Sequence, residues 1–320
     1  MKRREFLKQA GLAAAAVASS AKMSASDATP STTIPRRALG KTGEQLSIIG
    51  FGGILVMNEE PDFARELVAE AVDHGINYFD VAPSYGDAQE KLGKALGPYR
   101  NKSFLACKTD GRMKDDSRAD LEKSLKLLQT DHIDLYQFHA LTKMSDLDKV
   151  LGPGGAMETM EAAKKEGKIR YIGFSAHSVE TALAAMDRYH FDTVLFPVNW
   201  VLFHEANFGP QIVKRAQEKG VGMLALKGMA KTVWAPSQKQ RHPYPKCWYE
   251  PAGFPGEASL YLRWTLSQPI TAAIPPGDPR LFQVALSVAQ NYKPLEAHEE
   301  PLLVNSSRGV GPIFHLGNDV

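Results

Sequence analysis

The chain has 320 residues and a formal net charge of +2, with 43% hydrophobic and 23% charged residues. This composition is ordinary for a soluble globular protein, and the near-neutral charge argues against nucleic acid or an anionic membrane surface as a partner. The two cysteines, Cys107 and Cys247, are too few and too widely spaced for a metal cluster or a disulfide framework, so we expect no bound metal.

Residues 1–30 have the features of an export signal. Lys2, Arg3 and Arg4 form a basic head, and the alanine-rich apolar run that follows is too short for a stable membrane span. The paired arginines before "EFLK" are similar to a twin-arginine signal, which is read by machinery that exports folded proteins. We therefore expect a periplasmic or otherwise exported protein, with the twin-arginine export machinery as a partner. The alternatives are an N-terminal helix of the folded domain, an uncleaved tether, or a cytoplasmic protein.

From residue 34 to residue 320 we expect a single domain of the α/β class. The segment "IPRRALGKTGEQLS" predicts a short hairpin, after which apolar strand-like runs alternate with amphipathic helical patterns. The eight strand-like runs are "LSIIGFGG", "INYFDVA", "SFLACK", "IDLYQFH", "IRYIGFS", "TVLFPVN", "VGMLALK" and "ITAAIP". Eight strand–helix units predict a closed (β/α)₈ TIM barrel. The alternative, a doubly wound sheet, is disfavoured because no GxGxxG follows the first run.

Polar residues recur at the C-terminal ends of the predicted strands. They are Asp80, Lys108, His139, Ser175, Asn199 and Lys227. Because the C-terminal strand ends of a barrel meet on one face, where active sites are built, we expect these six side chains to converge.

Three of these six residues, together with Tyr85, form a set suited to proton transfer. Asp80 follows an apolar run in "FDVAPSYG", and a buried carboxylate there needs a partner, which Lys108 on the next strand can supply. Tyr85 follows in the same loop, and a nearby ammonium is expected to lower its pKa towards useful acid strength. His139 can hydrogen-bond a substrate oxygen. A Schiff-base role for Lys108 is the alternative, which Asp80 disfavours by keeping the lysine charged.

The segments "FDVAPSYG…LGKAL", "LACKTD", "TDHIDLYQFHAL" and "RYIGFSAHS" occur in order on successive predicted strands. Together they resemble the aldo/keto reductases, barrel enzymes that use NADP(H), over about residues 36–291. The resemblance implies an NAD(P)(H)-dependent oxidoreductase that interconverts a carbonyl (aldehyde, ketone or sugar) and an alcohol by hydride transfer. It implies that Tyr85 is the general acid/base and that Lys108 adjusts the pKa of Tyr85. It also implies that Asp80 holds Lys108 in place and that His139 orients the carbonyl. The alternative is a nucleotide-binding barrel that acts as a sensor or accessory subunit without turnover.

The resemblance also implies a dinucleotide site. The expected contacts are Gly52, Gly53, Ser175, Asn199, Leu226, Lys227 and Arg280. Leu226 stands where the family usually has a tyrosine under the nicotinamide, so the neighbouring Lys227 is expected to reach the pyrophosphate instead. Arg280 is the nearest cation for an adenosine 2′-phosphate, with a surface role at a helix start as its alternative. NADP(H) is therefore expected, with NAD(H) as the alternative.

The segment 228–256 is too long for an ordinary connection and lies on the predicted active-site side. Its rings Trp234, Trp248 and Tyr249 predict a lid or substrate wall that stacks on a sugar or an aromatic aldehyde. The alternative is that these rings only pack the loop onto the barrel.

Overall fold

The computed structural model describes residues 33–253 and 255–317. The predicted export signal, residues 1–30, lies outside the described residues. Within them the chain forms twelve strands. The strands are β1 (Arg36–Ala38), β2 (Gln45–Ser47), β3 (Phe51–Gly52), β4 (Tyr78–Asp80), β5 (Phe104–Thr109), β6 (Ile133–Phe138), β7 (Ile169–Ser175), β8 (Thr193–Pro197), β9 (Gly222–Leu226), β10 (Ala230–Val233), β11 (Tyr249–Pro251) and β12 (Ala272–Ile274).

The same residues form eleven α-helices, most of which connect successive barrel strands. The helices are α1 (Pro61–Asp73), α2 (Ala88–Leu96), α3 (Lys114–Leu128), α4 (Met144–Leu151), α5 (Ala156–Lys165), α6 (Val179–Arg188), α7 (Trp200–Glu205), α8 (Pro210–Lys219), α9 (Gly256–Ser267), α10 (Pro279–Gln290) and α11 (Glu300–Ser307).

Eight parallel strands make one sheet in the order β3-β4-β5-β6-β7-β8-β9-β12. The sheet closes on itself because Ile49 bridges Ala273 in parallel and the Gly50 amide donates to the Ala273 carbonyl oxygen at 2.9 Å. The predicted (β/α)₈ barrel is therefore confirmed.

The sequence patterns that predicted the barrel have a direct physical cause. Every residue of β5 and β6 is buried, since parallel strands are covered by helices outside and by packed side chains inside. The helices bury one face only, as α8 does with Ile212, Val213 and Ala216. Gly220 ends α8 in the left-handed conformation, with φ of 69°, which glycine adopts without strain.

The antiparallel hairpin β1–β2 covers the N-terminal end of the barrel, and this prediction is also confirmed. Leu39 and Leu46 from the hairpin join the apolar cluster inside the barrel, which includes Tyr78, Leu135 and Leu224. With that end plugged, the open mouth lies at the C-terminal ends of the strands.

The long loop after β9 crosses this mouth, as predicted, and contains the small hairpin β10–β11, which was not predicted. Lys246 attaches the loop to the connection after β3, donating to the Leu55 carbonyl at 3.0 Å and to Glu59 Oε1 at 3.1 Å. Arg280, at the start of α10, donates to the carbonyl oxygen of Pro243 in the same loop. The loop is thus fixed at two separate points.

The segment after α11 returns to the mouth. Phe314 is buried there, with its ring stacked 5.5 Å from Phe208 and 5.1 Å from the imidazole of His177. Among the described residues, no helix combines the length and apolar character needed to cross a membrane.

Candidate active site

Asp80 and Lys108 form a buried ion pair at the mouth of the barrel. Asp80 ends β4 opposite Ala106 of β5, and Lys108, two residues further along β5, reaches its carboxylate with Nζ. The side chains are 3% and 1% exposed respectively, so neither charge is solvated by bulk water. The expected partner of Asp80 is therefore the observed one.

Two further side chains support the carboxylate. Gln137 on β6 donates from Nε2 to Asp80 Oδ2 at 3.0 Å, and the Tyr78 hydroxyl donates to the same oxygen at 3.4 Å. Lys108 also donates to the Val81 carbonyl at 3.2 Å. A buried pair is stabilising only when its remaining hydrogen-bonding capacity is satisfied, and these contacts provide that. Sequence reasoning missed Gln137 and Tyr78.

Tyr85 lies above this pair. The Lys108 ammonium is 5.2 Å from the centroid of the Tyr85 ring, and the His139 imidazole meets that ring edge-on at a centroid distance of 5.9 Å. The structure thus brings together all four residues predicted for catalysis.

The electrostatics differ from the prediction in one respect. Burial raises the pKa of Tyr85 by more than Lys108 lowers it, so the net shift is upward and the expected net lowering is wrong. Burial disfavours the charged form of a lysine, so on its own it would lower the pKa of Lys108. The interactions with Asp80 and then Tyr85 outweigh burial and raise that pKa well above its usual value. Lys108 is therefore a permanent cation at neutral pH.

An additional carboxylate contacts the site. Asp110, in the loop after β5, places Oδ1 2.6 Å from His139 Nδ1, and Ser84 Oγ is 3.4 Å from the same nitrogen. Sequence reasoning missed Asp110. Its position, two residues beyond Lys108 and directly after a strand, is the sequence feature that could have predicted it as a site residue.

Comparison with known proteins identifies this arrangement. The sequence model of the aldo/keto reductase family matches residues 48–248, which is more than half of the chain and includes all four residues. The chain belongs to the aldo/keto reductase family. The family-level prediction is confirmed, and members of this family use nicotinamide cofactors.

Several known proteins are similar to this aldo/keto reductase. Bacillus subtilis YqkF, named an uncharacterized oxidoreductase, is 34% identical over 155 residues, which are 44% of this chain and 48% of YqkF. L-galactose dehydrogenase of Arabidopsis thaliana is 28% identical over 220 residues, 62% of this chain and 66% of that protein. This chain therefore spans between about half and two thirds of the length of these relatives.

A solved structure shares the fold. The holo form of the aldo-keto reductase AKR11C1 from Bacillus halodurans superposes with a TM-score of 0.67 and 23% identity, over 88% of this chain and 99% of that one. Identity at this level supports the fold alone.

The residues predicted to hold nicotinamide are buried at the strand ends of this aldo/keto reductase. The Ser175 hydroxyl accepts a hydrogen bond from the Ala140 amide at 2.8 Å, which leaves its own proton for a further acceptor. Asn199 caps α7 by accepting from the Leu202 amide at 2.9 Å and donates to the Lys227 carbonyl at 3.2 Å. Its amide thus already connects two elements.

Gly52 ends the first barrel strand beside the site, and Gly53 follows it. Both are buried, and a Cβ added at Gly53 would lie 2.7 Å from the Val81 side chain and 3.2 Å from the Asp80 carbonyl oxygen. Glycine at position 53 therefore allows the first two βα connections to approach each other closely.

Arg280 lies at the mouth but already has protein partners. Its Nε and Nη2 donate to the two Asp278 carboxylate oxygens at 3.0 and 2.9 Å, and its guanidinium lies 4.6 Å from the centroid of the Tyr244 ring. A phosphate at this guanidinium would share it with Asp278.

Lys227 follows Leu226, which packs against the interior cluster of the barrel. Lys227 Nζ lies 5.2 Å from the Trp248 ring centroid and 5.1 Å from that of Tyr249. Burial lowers the pKa of Lys227 to about 8, with no carboxylate among the described residues to oppose it. Burial, and after it the charge of Lys227, lowers the pKa of the adjacent His177 to about 3. This part of the mouth has positive charge without a counter-ion.

The three predicted substrate rings occupy different environments. Trp248 is 54% exposed, whereas Trp234 and Tyr249 are buried. The Trp234 indole stacks on His242 at 4.1 Å and donates to the Cys247 carbonyl at 2.9 Å, so it packs within the loop. Trp248 is therefore the exposed ring of the three, although Lys227 lies over it.

Proposed function

We propose that this aldo/keto reductase is an oxidoreductase that interconverts a carbonyl compound and its alcohol by hydride transfer with NAD(P)(H). The observation that carries the proposal is the buried Lys108–Asp80 pair beneath Tyr85, with His139 against the same ring. This arrangement supports proton transfer to or from an oxygen atom. Because Lys108 is held as a cation by Asp80, it is unsuited to form a Schiff base.

In this mechanism a bound nicotinamide supplies or accepts the hydride, and the side chains manage the proton. Tyr85 donates its hydroxyl proton to the carbonyl oxygen during reduction. Lys108 stabilises the phenolate that forms, because its fixed positive charge lies over the Tyr85 ring in a poorly solvated site. His139 holds the substrate oxygen, and Asp80 keeps Lys108 in position.

The residues at the mouth fit a dinucleotide. Lys227 has no carboxylate counter-ion among the described residues, and an anionic pyrophosphate bound there would supply one. Ser175 retains a free proton for the nicotinamide amide, and Gly52, Gly53, Asn199 and Leu226 lie at or just after strand ends on the same side of the barrel. We propose NADP(H) as the cofactor, through Arg280, with NAD(H) as the alternative because Asp278 shares that guanidinium.

The proposal is tested by following the nicotinamide absorbance band with the purified protein, NADPH or NADH, and a panel of aldehydes, ketones and sugars. Sugars belong in the panel because one relative is named L-galactose dehydrogenase. We expect hydride transfer with at least one class. Nucleotide binding without turnover across the panel would instead support the accessory-subunit alternative. Mass spectrometry of nucleotide released from the protein identifies the cofactor.

Lys227 should make cofactor affinity depend on pH. A lysine with a pKa of about 8 loses its charge as pH rises through that value, so its attraction for pyrophosphate weakens above it. We expect the cofactor Kd, measured by fluorescence titration, to rise several-fold between about pH 7 and 9. In Lys227→Met the affinity should be weaker at pH 7 and nearly independent of pH. An unchanged slope in that variant would remove Lys227 from the cofactor site.

We also propose that the chain is exported to the periplasm by the twin-arginine machinery, with its cofactor bound before export. Arg3 and Arg4 support this proposal, because paired arginines before an apolar run are the signal that machinery recognises. Cell fractionation tests it. An Arg3→Lys/Arg4→Lys variant should stay in the cytoplasm, and periplasmic protein that contained no nicotinamide nucleotide would contradict loading before export.

A further inference from the structure

Hydrogen bonds hold the backbone on the Asp110 side of the contact between Asp110 and His139. The Asp120 carboxylate of α3 accepts hydrogen bonds from the Asp110 amide at 3.0 Å, the Gly111 amide at 3.0 Å and the Thr109 hydroxyl at 2.8 Å. One side chain therefore fixes the last residue of β5 and the first two residues of the loop after it. Asp110 is held at its backbone while its carboxylate reaches the imidazole.

The backbone around His139 is fixed as well. Arg112 donates to the His139 carbonyl at 2.6 Å and to the Asp110 carbonyl at 3.2 Å, which joins the two residues a second time. Ala140, next along the chain, has φ of 50°, a strained value for a residue with a Cβ. The Ser175 hydroxyl accepts from its amide at 2.8 Å and helps to hold it there. A strained position kept by several contacts is typical of functional sites.

We propose that Asp110 is a positioning residue that fixes the tautomer and orientation of His139 in the proton-transfer site. A carboxylate only accepts, so the facing Nδ1 carries a proton. The neutral ring then has its lone pair on Nε2, and only the protonated ring donates from Nε2. This inference rests on the proposed function for its consequence, because Nε2 is then the ring nitrogen that meets the substrate oxygen.

The consequence concerns the hydrogen bond to the substrate oxygen. In reduction the carbonyl carbon takes a hydride from the reduced nicotinamide and the oxygen takes the Tyr85 proton, while Nε2–H of the protonated ring donates a hydrogen bond to that oxygen. In oxidation the same step runs in reverse: the hydride leaves the carbon, the hydroxyl proton of the alcohol returns to the Tyr85 phenolate, and Nε2–H donates to the same oxygen. Asp110 therefore sets which ring nitrogen of His139 meets the substrate oxygen in both directions.

The surrounding charges are consistent with this arrangement. The hydrogen bond from His139 lowers the pKa of Asp110, so the carboxylate is ionised at neutral pH. Tyr85 and Ser84 contact the ring from the loop after β4, and Arg112 donates to the His139 carbonyl from the loop after β5. Asp110 is the anion in direct contact with the ring.

The direct test is ¹⁵N NMR of the histidine rings, with the His139 signals assigned by their loss in His139→Ala. We expect the Nδ1–H tautomer for the neutral ring of the native protein and loss of that preference in Asp110→Asn. A neutral ring protonated at Nε2 in the native protein would overturn the proposal. This measurement needs no turnover, so it stands even where the proposed oxidoreductase activity fails.

The kinetic test compares Asp110→Asn with the native enzyme in both directions at pH 7. We expect kcat/KM for the carbonyl to fall on the order of 10-fold to 100-fold, with unchanged KM for the cofactor. In a His139→Ala background the same change should cost less than about 2-fold, because Asp110 acts through that ring. An equal loss in both backgrounds would show a structural role instead.

The chain offers a matched control. Asp131 and His132 form a carboxylate–imidazole pair with the same 2.6 Å distance, but they precede β6 at the opposite end of the barrel. Asp131→Asn should leave kcat/KM unchanged in both directions. A loss equal to that of Asp110→Asn would mean that the effect is not local to His139, and would overturn the proposal.

Discussion

Replacing Tyr85 with phenylalanine should reduce kcat/KM for the carbonyl substrate by about 10²-fold to 10⁴-fold, the usual contribution of a positioned acid–base group. The variant keeps the ring that contacts Lys108 and His139 and loses only the hydroxyl. Cofactor affinity and thermal unfolding should therefore stay close to native. Steady-state rates at the nicotinamide band, together with a fluorescence titration of the cofactor, provide the measurement.

The control for this variant is Tyr189→Phe. The Tyr189 hydroxyl interacts with Glu161 at 3.4 Å, and the residue follows the C-terminal end of α6, at the opposite end of the barrel from the mouth. It should have native kinetics. Full activity in Tyr85→Phe would mean that another group transfers the proton, and the proposed role of Tyr85 would be abandoned.

Replacing Lys108 with methionine should lower the free energy of unfolding by about 3–5 kcal/mol, because it leaves the carboxylate of Asp80 buried without its cation. Adding Asp80→Asn to the same protein should restore much of this loss, since no charge is then left unpaired. The raised pKa of Lys108 means that the pair stabilises the native protein throughout the neutral range. That contribution is lost only as pH rises above the ordinary lysine value of about 10.4.

Urea unfolding of the two variants and of Lys94→Met measures the effect. Lys94 pairs with Glu90 at 2.6 Å, but the side chains are 56% and 53% exposed, so its loss should cost at most about 1 kcal/mol. If Lys108→Met cost no more than Lys94→Met, the buried pair would contribute nothing to the fold.

The barrel and the ion pair within it could be predicted because both depend on periodic features of the sequence. Continuous apolar runs fix the strands, and the strand register places Asp80 beside β5, where Lys108 is the available cation. Gln137 was not predicted, since one polar residue in a fully buried strand looks like any other until the register shows that it faces Asp80. The direction in which the pKa of Tyr85 shifts depends on how completely its side chain is buried, which a sequence pattern does not show.

The contacts made by loop residues were harder to predict, for a different reason. Asp110 contacts His139 from a loop whose backbone Asp120 holds, and the path of that loop depends on dihedral angles that composition does not determine. Arg280 was expected to be available to a phosphate, but a neighbour two positions away, Asp278, binds it. Phe314 lies far along the chain from the strand ends it covers, so its contact with His177 is purely tertiary.

The two attachment points of the loop after β9 lie on either side of the place where the barrel closes. Lys246 holds the connection that follows β3, and Arg280 holds the loop from the start of α10, just after β12. The terminal strands β3 and β12 are short and meet mainly through Ile48–Gly50 and Ala273. A ligand that tightens the loop therefore also tightens the junction between the first and last units. We expect amide hydrogen exchange at Gly50 and Ala273 to slow when nucleotide binds, although neither amide touches the mouth.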